Sequence, residues 1–188
     1  MSEPGRDRLL TYADYAALPD DGHRYQLLEG ELVMTPSPRA RHQQVSYQLE
    51  FKLLGHVQEH DLGQMYHAPL DVTLDDHNVV QPDIFFISKA RAGILQDDRI
   101  IGAPDLCIEI LSPGTVRLDR VRKLGLYARF DVTHYWIVDL SARTIEEYLL
   151  SGDVYRVRSI AGYDEPFRPA AFPGFEFTLN VVPLPDEA

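Results

Sequence analysis

Two acidic residues of this chain sit where acids are uncommon. Asp83 follows a proline at the head of the apolar run "QPDIFFI", and Glu109 interrupts "APDLCIEILS" between Ile108 and Ile110. If these runs are neighbouring strands, their backbones lie about 4.8 Å apart, and carboxylates at matching depth on one face can share a cation. A hard ion such as Mg²⁺ binds oxygen at about 2.0 to 2.1 Å and keeps several waters. Two carboxylates and one backbone carbonyl therefore suffice, and the carbonyl of Ile110 is placed to be the third donor. The plainer alternatives are an edge-strand aspartate and a glutamate on a solvated sheet face. Against the second, Cys107, Ile108, Ile110 and Leu111 leave neither face of the strand polar, and a buried carboxylate needs a cation or donors.

Pro82 sharpens the reading of Asp83. A proline cannot donate to a strand ladder, so it marks an edge, a strand start or a bulge, where the next side chain can reach the rim of a sheet. The same dipeptide recurs at Pro104-Asp105. Asp105, however, precedes Glu109 by four strand positions, about 13 Å at 3.3 Å per residue, which is too far to share an ion. Lys123 lies one helical turn after Asp119. That spacing by itself describes a surface ion pair, and the catalytic alternative is a lysine reaching toward a phosphate or an attacking water. His42 shares the apolar side of its segment with Val45 and Leu49, the place of a core or boundary histidine that could line a cleft. His56 and His60 have the spacing of metal ligands, but "HVQEH" is not H-E-x-x-H, and they read as the solvated end of a helix. No G-x-S-x-G, G-x-x-x-x-G-K-[ST] or G-x-G-x-x-G is present, so serine-hydrolase, P-loop and dinucleotide-binding readings lack support.

The elements that must position these residues follow from periodicity. Thr11 and Asp14 have capping-box spacing before a short helix that stops at Pro19. "YQLLEGELVM" reads as a hairpin turning at Glu29-Gly30. From Arg39 to His60, Val45, Leu49, Leu53 and Val57 recur every four positions, the stripe of an amphipathic helix. Three strand-like runs follow, "MYHAPLDVTL", "VVQPDIFFI" and "APDLCIEILS", the first two joined by "DDHN", as an antiparallel meander. Residues 115 to 130 return to helical spacing, and "HYWIVDL", "TIEEYLL", "DVYRVRSI" and "GFEFTL" read as further strands. With no repeat or linker, residues 1 to 188 are expected to form one domain.

Composition bounds the function. The chain has 188 residues, 45% of them apolar, and a formal net charge of -11, which argues against nonspecific coating of nucleic acid. Arg117, Arg120, Arg122, Lys123 and Arg129 nevertheless cluster, either as a local basic surface or as a solvated helix face. No run approaches the roughly 18 apolar residues of a membrane span, and "MSEPGRDRLL" lacks an apolar signal segment, so a soluble cytoplasmic protein is expected. A single cysteine, Cys107, excludes an internal disulfide.

Taken together, "RYQLLEGELV", "TPSPRARHQQV", "QPDIFFI", "GAPDLCIEILSPGT", "DRVRKLGLYARF" and "HYWIVDL" make the whole chain resemble the Uma-two family of bacterial restriction endonucleases, within the PD-(D/E)XK nuclease superfamily. The resemblance implies an α/β (mixed α+β) fold with a restriction-endonuclease-like core, a central mixed sheet flanked by helices. It assigns Asp83 as the motif aspartate and Glu109 as the second acidic ligand. The superfamily lysine normally follows that acid by two residues, where this chain has Leu111; Lys123 on the next helix is the matching position. The family pattern often carries Glu after the hairpin tyrosine, where this chain has Gln26. Implied with the fold are Mg²⁺ or Mn²⁺ as cofactor, DNA as substrate, a homodimer, and hydrolysis of phosphodiester bonds, with His42 and Gln26 behind the ligands. A nuclease-fold protein that binds nucleic acid or a protein partner without cutting is the alternative, and a hydrolase of smaller phosphate esters a third reading.

Overall fold

The computed structural model describes residues 8–181; most of the N-terminal segment read above for a signal sequence lies outside them. In chain order the elements are α1 (Tyr12–Ala16), β1 (Arg24–Leu28), β2 (Glu31–Thr35), α2 (Ala40–Glu59), β3 (Gly63–His67), β4 (Val72–Asp75), β5 (Asn78–Val80) and β6 (Ile84–Ser88). There follow β7 (Ile100–Ile101), β8 (Leu106–Leu111), a π-helical segment Leu118–Lys123 that tightens into α3 (Leu124–Arg129), β9 (His134–Asp139), β10 (Thr144–Ser151) and β11 (Val154–Gly162). The capping box of Thr11 and Asp14 is formed. The hairpin turns on Glu29 and Gly30, both at positive φ, the requirement of a tight two-residue turn. A Cβ at Gly30 would lie 2.6 Å from that of Leu9, so glycine also admits the N-terminal segment.

The strands form two sheets, ordered β2-β1-β5-β4-β7 and β11-β10-β9-β8-β6-β3. This corrects the expected single meander. "MYHAPLDVTL" and "VVQPDIFFI" each divide at a proline, with β3 and β6 in the larger sheet and β4 and β5 in the smaller. Pro69 and Pro82 have no N–H to continue a ladder, and the chain passes from one sheet to the other at both. The two corners touch, for the Ala68 amide donates to the Asp83 carbonyl at 3.1 Å. Within the larger sheet, β3, β6 and β8 are antiparallel as expected, and β8 and β9 are parallel across the helical crossover. "GFEFTL" forms only a single bridge, Phe167 to Phe177.

Alternation sorts the larger sheet between two cores. Ile84, Phe86, Leu106, Ile108, Trp136 and Val138 meet the Val45, Leu49, Leu53 and Val57 stripe of α2. Phe85, Ile87, Cys107, Leu111, Tyr135 and Ile137 face Leu126 and Tyr127 of α3 and the smaller sheet. A strand covered on both faces shows no polar alternation, which is why β8 is apolar throughout except at Glu109. No helix among the described residues is long and apolar enough to cross a membrane.

Glu147, wholly buried on β10, ties the C-terminal segment to this sheet. Its carboxylate accepts from Trp136 Nε1 at 3.2 Å and from the Ala170 and Ala171 amides at 2.8 and 3.2 Å, and meets His134 Nδ1 at 3.2 Å. Glu147→Ala strands these donors and is expected to cost about 3 kcal/mol, read as a lower urea midpoint at unchanged slope. A loss under about 1 kcal/mol would mean the carboxylate does not anchor the segment.

Candidate active site

The β6–β8 register decides whether the two acids meet. Ile84 pairs with Ile108, Phe85 with Cys107 and Phe86 with Leu106. One place further, Asp83 falls opposite Glu109, and both line one cleft of about 440 Å³. One more place sets Pro82 opposite Ile110. The Ile110 N–H, which a regular ladder would send to position 82, instead donates to Asp83 Oδ2 at 2.8 Å. N–H and C=O of a strand residue point the same way, so the Ile110 carbonyl also faces position 82, where proline offers no donor.

His42, near the start of α2, places Nε2 3.1 Å from the same Asp83 oxygen, and its buried Nδ1 has no partner. Glu109 is held through its other side. Oε1 accepts from Lys123 Nζ and from Tyr127 Oη, both at 2.8 Å. Each carboxylate thus has one oxygen secured, while Asp83 Oδ1 and Glu109 Oε2 take no hydrogen bond from the described residues. Among those residues, no three His, Cys, Asp or Glu side chains form a ready-made metal cage.

Lys123 is the main departure from expectation. Spacing alone described a surface pair, yet Lys123 and Asp119 are each 2% exposed, with Nζ 3.5 Å from Asp119 and 2.8 Å from Glu109. Asp119 and Tyr127 are the residues sequence reasoning left out of the site. The signal was there as an acid, a base and a tyrosine at four-residue spacing, a polar stripe on one side of the helical segment. Gln26 is buried at the cleft, where its Oε1 accepts from the Gln81 amide at 3.1 Å and braces the corner before Asp83. Asp105 is excluded, since its carboxylate accepts from the Ser88 amide at 2.7 Å at the far end of β6. His56 is not simply solvated; its ring stacks on Phe175 with centroids 4.3 Å apart.

The basic cluster is not a free surface either. Arg120 binds Glu146 through both oxygens and reaches Asp139, Arg122 pairs with Glu31, and Arg129 pairs with Glu29. Positive charge at the cleft comes from Arg24, Arg39 and Arg41 together with Lys123.

Burial dominates the protonation of the site. It pushes Glu109 up to about 8 against the pull of Lys123, with Asp119 and Asp83 adding repulsion. Asp119 is raised for the same reason, opposed by Lys123 and Thr115. Burial alone would lower Lys123, but Glu109 and Asp119 outweigh it and raise the amine, which stays charged. Burial, then Glu109, raises the Tyr127 hydroxyl and keeps it a donor.

A family model described as "Uma2: Putative restriction endonuclease" matches residues 12–181. A crystal structure of "a putative nuclease belonging to DUF820" from Anabaena variabilis superposes with a TM-score of 0.74 at 19% identity, covering 90% of this chain and 95% of that one. At that identity the likeness is one of fold. No curated protein matches in sequence.

The native state holds the Glu109 proton between the carboxyl's ordinary 4.5 and about 8. Its contribution to stability is therefore complete below pH 4.5 and is lost as pH rises through 8. Infrared titration of the metal-free protein is expected to show a protonated carboxyl that disappears near pH 8 and is missing from Glu109→Gln. Disappearance of that band near the ordinary carboxyl value would refute the assignment.

Proposed function

We propose that this chain, which belongs to the Uma2 family, is a metal-dependent endonuclease that hydrolyses DNA phosphodiester bonds. The observation that carries the reading is the placement of Asp83 opposite Glu109 beside the β6–β8 pairing, both lining the cleft and each with one oxygen secured and the other taking no hydrogen bond from the described residues. The donor set suits a hard cation: two carboxylates, plus the Ile110 carbonyl that Pro82 leaves without a ladder donor, match an ion that retains most of its water. Mg²⁺ or Mn²⁺ held there would supply Lewis acidity at a phosphoryl oxygen and make water a nucleophile at neutral pH.

The chain's own residues do the positioning. His42 and the Ile110 amide fix one oxygen of Asp83, and Lys123 and Tyr127 fix one of Glu109, so neither ligand must reorganise. Lys123 also keeps a positive charge beside the reacting phosphate, where negative charge grows in the transition state. Arg24 and Arg39 along the cleft can take neighbouring phosphates. Cutting both strands of a duplex calls for two such sites, the case for a homodimer, and the buried Cys107 thiol suits a reducing cytoplasm.

One observation favours binding without cleavage. Gln26 stands where the family often has a carboxylate, and its oxygen is committed to the Gln81 amide.

The test is cleavage of plasmid, branched and single-stranded DNA with Mg²⁺, Mn²⁺ or EDTA. Asp83→Asn, Glu109→Gln and Lys123→Met are each expected to lose about 10²-fold or more in rate, with EDTA abolishing cleavage. Cleavage that survives all three substitutions would sink the site, and cleavage in EDTA would sink the metal. DNA binding without any cleavage would install the binding reading instead.

A further inference from the structure

Beside the cleft lies a second, smaller one of about 280 Å³ that shares Arg24, Pro38, His42 and Asp83 with it. One wall is α2, where Tyr47 lines the groove and Phe51 stands one turn further along the helix. Tyr47 is 71% and Phe51 72% exposed, four residues apart on one side of the helix. Neither ring stacks on another aromatic ring among the described residues. The rings do not serve the core, because the buried stripe of α2 is Val45, Leu49, Leu53 and Val57.

We propose that Tyr47 and Phe51 form a stacking platform for unpaired bases of single-stranded DNA whose backbone enters the cleft at Asp83. The placement of the scissile phosphate rests on the nuclease reading above; the platform itself does not.

Three observations favour this occupant. The platform is continuous with the candidate site: His42 touches Asp83, and Tyr47 lies five residues, about 7.5 Å of helix, beyond it. Phe51 is about 6 Å further along the axis, wider than the roughly 3.4 Å between bases of a duplex strand, so both rings can be used only by bases that have come apart. The groove that Tyr47 lines is also polar, with Arg24, Gln43, Ser46 and His67 beside the carboxylate of Glu50, which lies 3.9 Å from the His67 ring. Exposed aromatic faces beside guanidinium and amide donors suit a strand with both π-faces and phosphates. An apolar protein partner would find little there to bury.

The test is fluorescence anisotropy of the full chain with fluorescein-labelled oligothymidylate and with a short duplex, in EDTA so that no strand is cut. Wild type is expected to prefer the single strand. The exposed substitutions Tyr47→Ala and Phe51→Ala, with melting temperature as the folding control, should each weaken single-strand binding roughly tenfold and leave duplex binding within twofold. Tyr47→Phe, which keeps the ring, should restore it. The proposal is overturned if alanine at both positions leaves single-strand affinity unchanged, or if single-strand and duplex binding fall together. It is equally overturned if sedimentation shows that the double variant turns a dimer into a monomer, for the rings then cover a second copy. Ring-dependent binding in a protein that never cleaves would uphold the platform while defeating the nuclease reading.

Discussion

Proline has no amide hydrogen, and much of the candidate site follows from that missing donor at position 82. The strand that begins in the smaller sheet cannot continue its ladder through Pro82, so it bends and resumes as β6 in the larger one. Across from the bend, Ile110 keeps its strand conformation, but its carbonyl faces a residue with no N–H to give. Its own N–H donates to the Asp83 carboxylate. A regular residue at 82 would supply the missing ladder hydrogen bond. One proline thus turns the chain between the sheets just before the aspartate and leaves a third oxygen donor without a ladder partner.

The second constraint is charge. Three carboxylates, Asp83, Glu109 and Asp119, gather around the single ammonium of Lys123. In a dry setting that surplus of negative charge is costly, and burial together with the neighbouring acids raises Glu109 toward its protonated form. A bound cation would relieve it equally well, so proton and cation compete for the same carboxylate. The burial of Lys123 has the converse logic: an unpaired lysine there would be neutral, and Glu109 with Asp119 keeps it charged.

Elements with strong periodicity were legible in the sequence. The α2 stripe, the Glu29-Gly30 hairpin and the β6–β8 pairing all rest on local pattern, and the pairing followed once both strands were read as neighbours. The division into two sheets was not read, although Pro69 and Pro82 signalled it, because strand propensity on both sides of a corner looks like one long strand. For Lys123, spacing alone favours a surface pair, while the resemblance assigns it to the site beside Glu109, and the structure buries it there. Spacing tells which residues share a helix face; whether that face meets solvent or a buried carboxylate depends on the packing of α3 against β8. Asp119 and Tyr127 were missed for the same reason. The basic cluster misled because charge counted along the chain ignores partners brought from β2, β9, β10 and the hairpin turn.

That last point changes what the acidic total means. Arg120, Arg122 and Arg129 neutralise carboxylates of their own fold, so they add nothing to an external field that would draw DNA from a distance. The net charge of -11 opposes a polyanion at long range, while the cleft is lined by Arg24 and Arg39 and further arginines, Arg117, Arg156 and Arg158, stand exposed elsewhere. On the proposed reading, a strand that meets mainly the arginines of the cleft would release few counterions, giving weak nonspecific binding with a shallow dependence on salt. On that reading affinity would come from contacts that long-range charge does not supply, such as a phosphate held through a cation at Asp83 and Glu109 and stacking on exposed rings beside it. A protein built this way would pass over ordinary duplex and engage DNA chiefly where a strand is already free to enter the cleft.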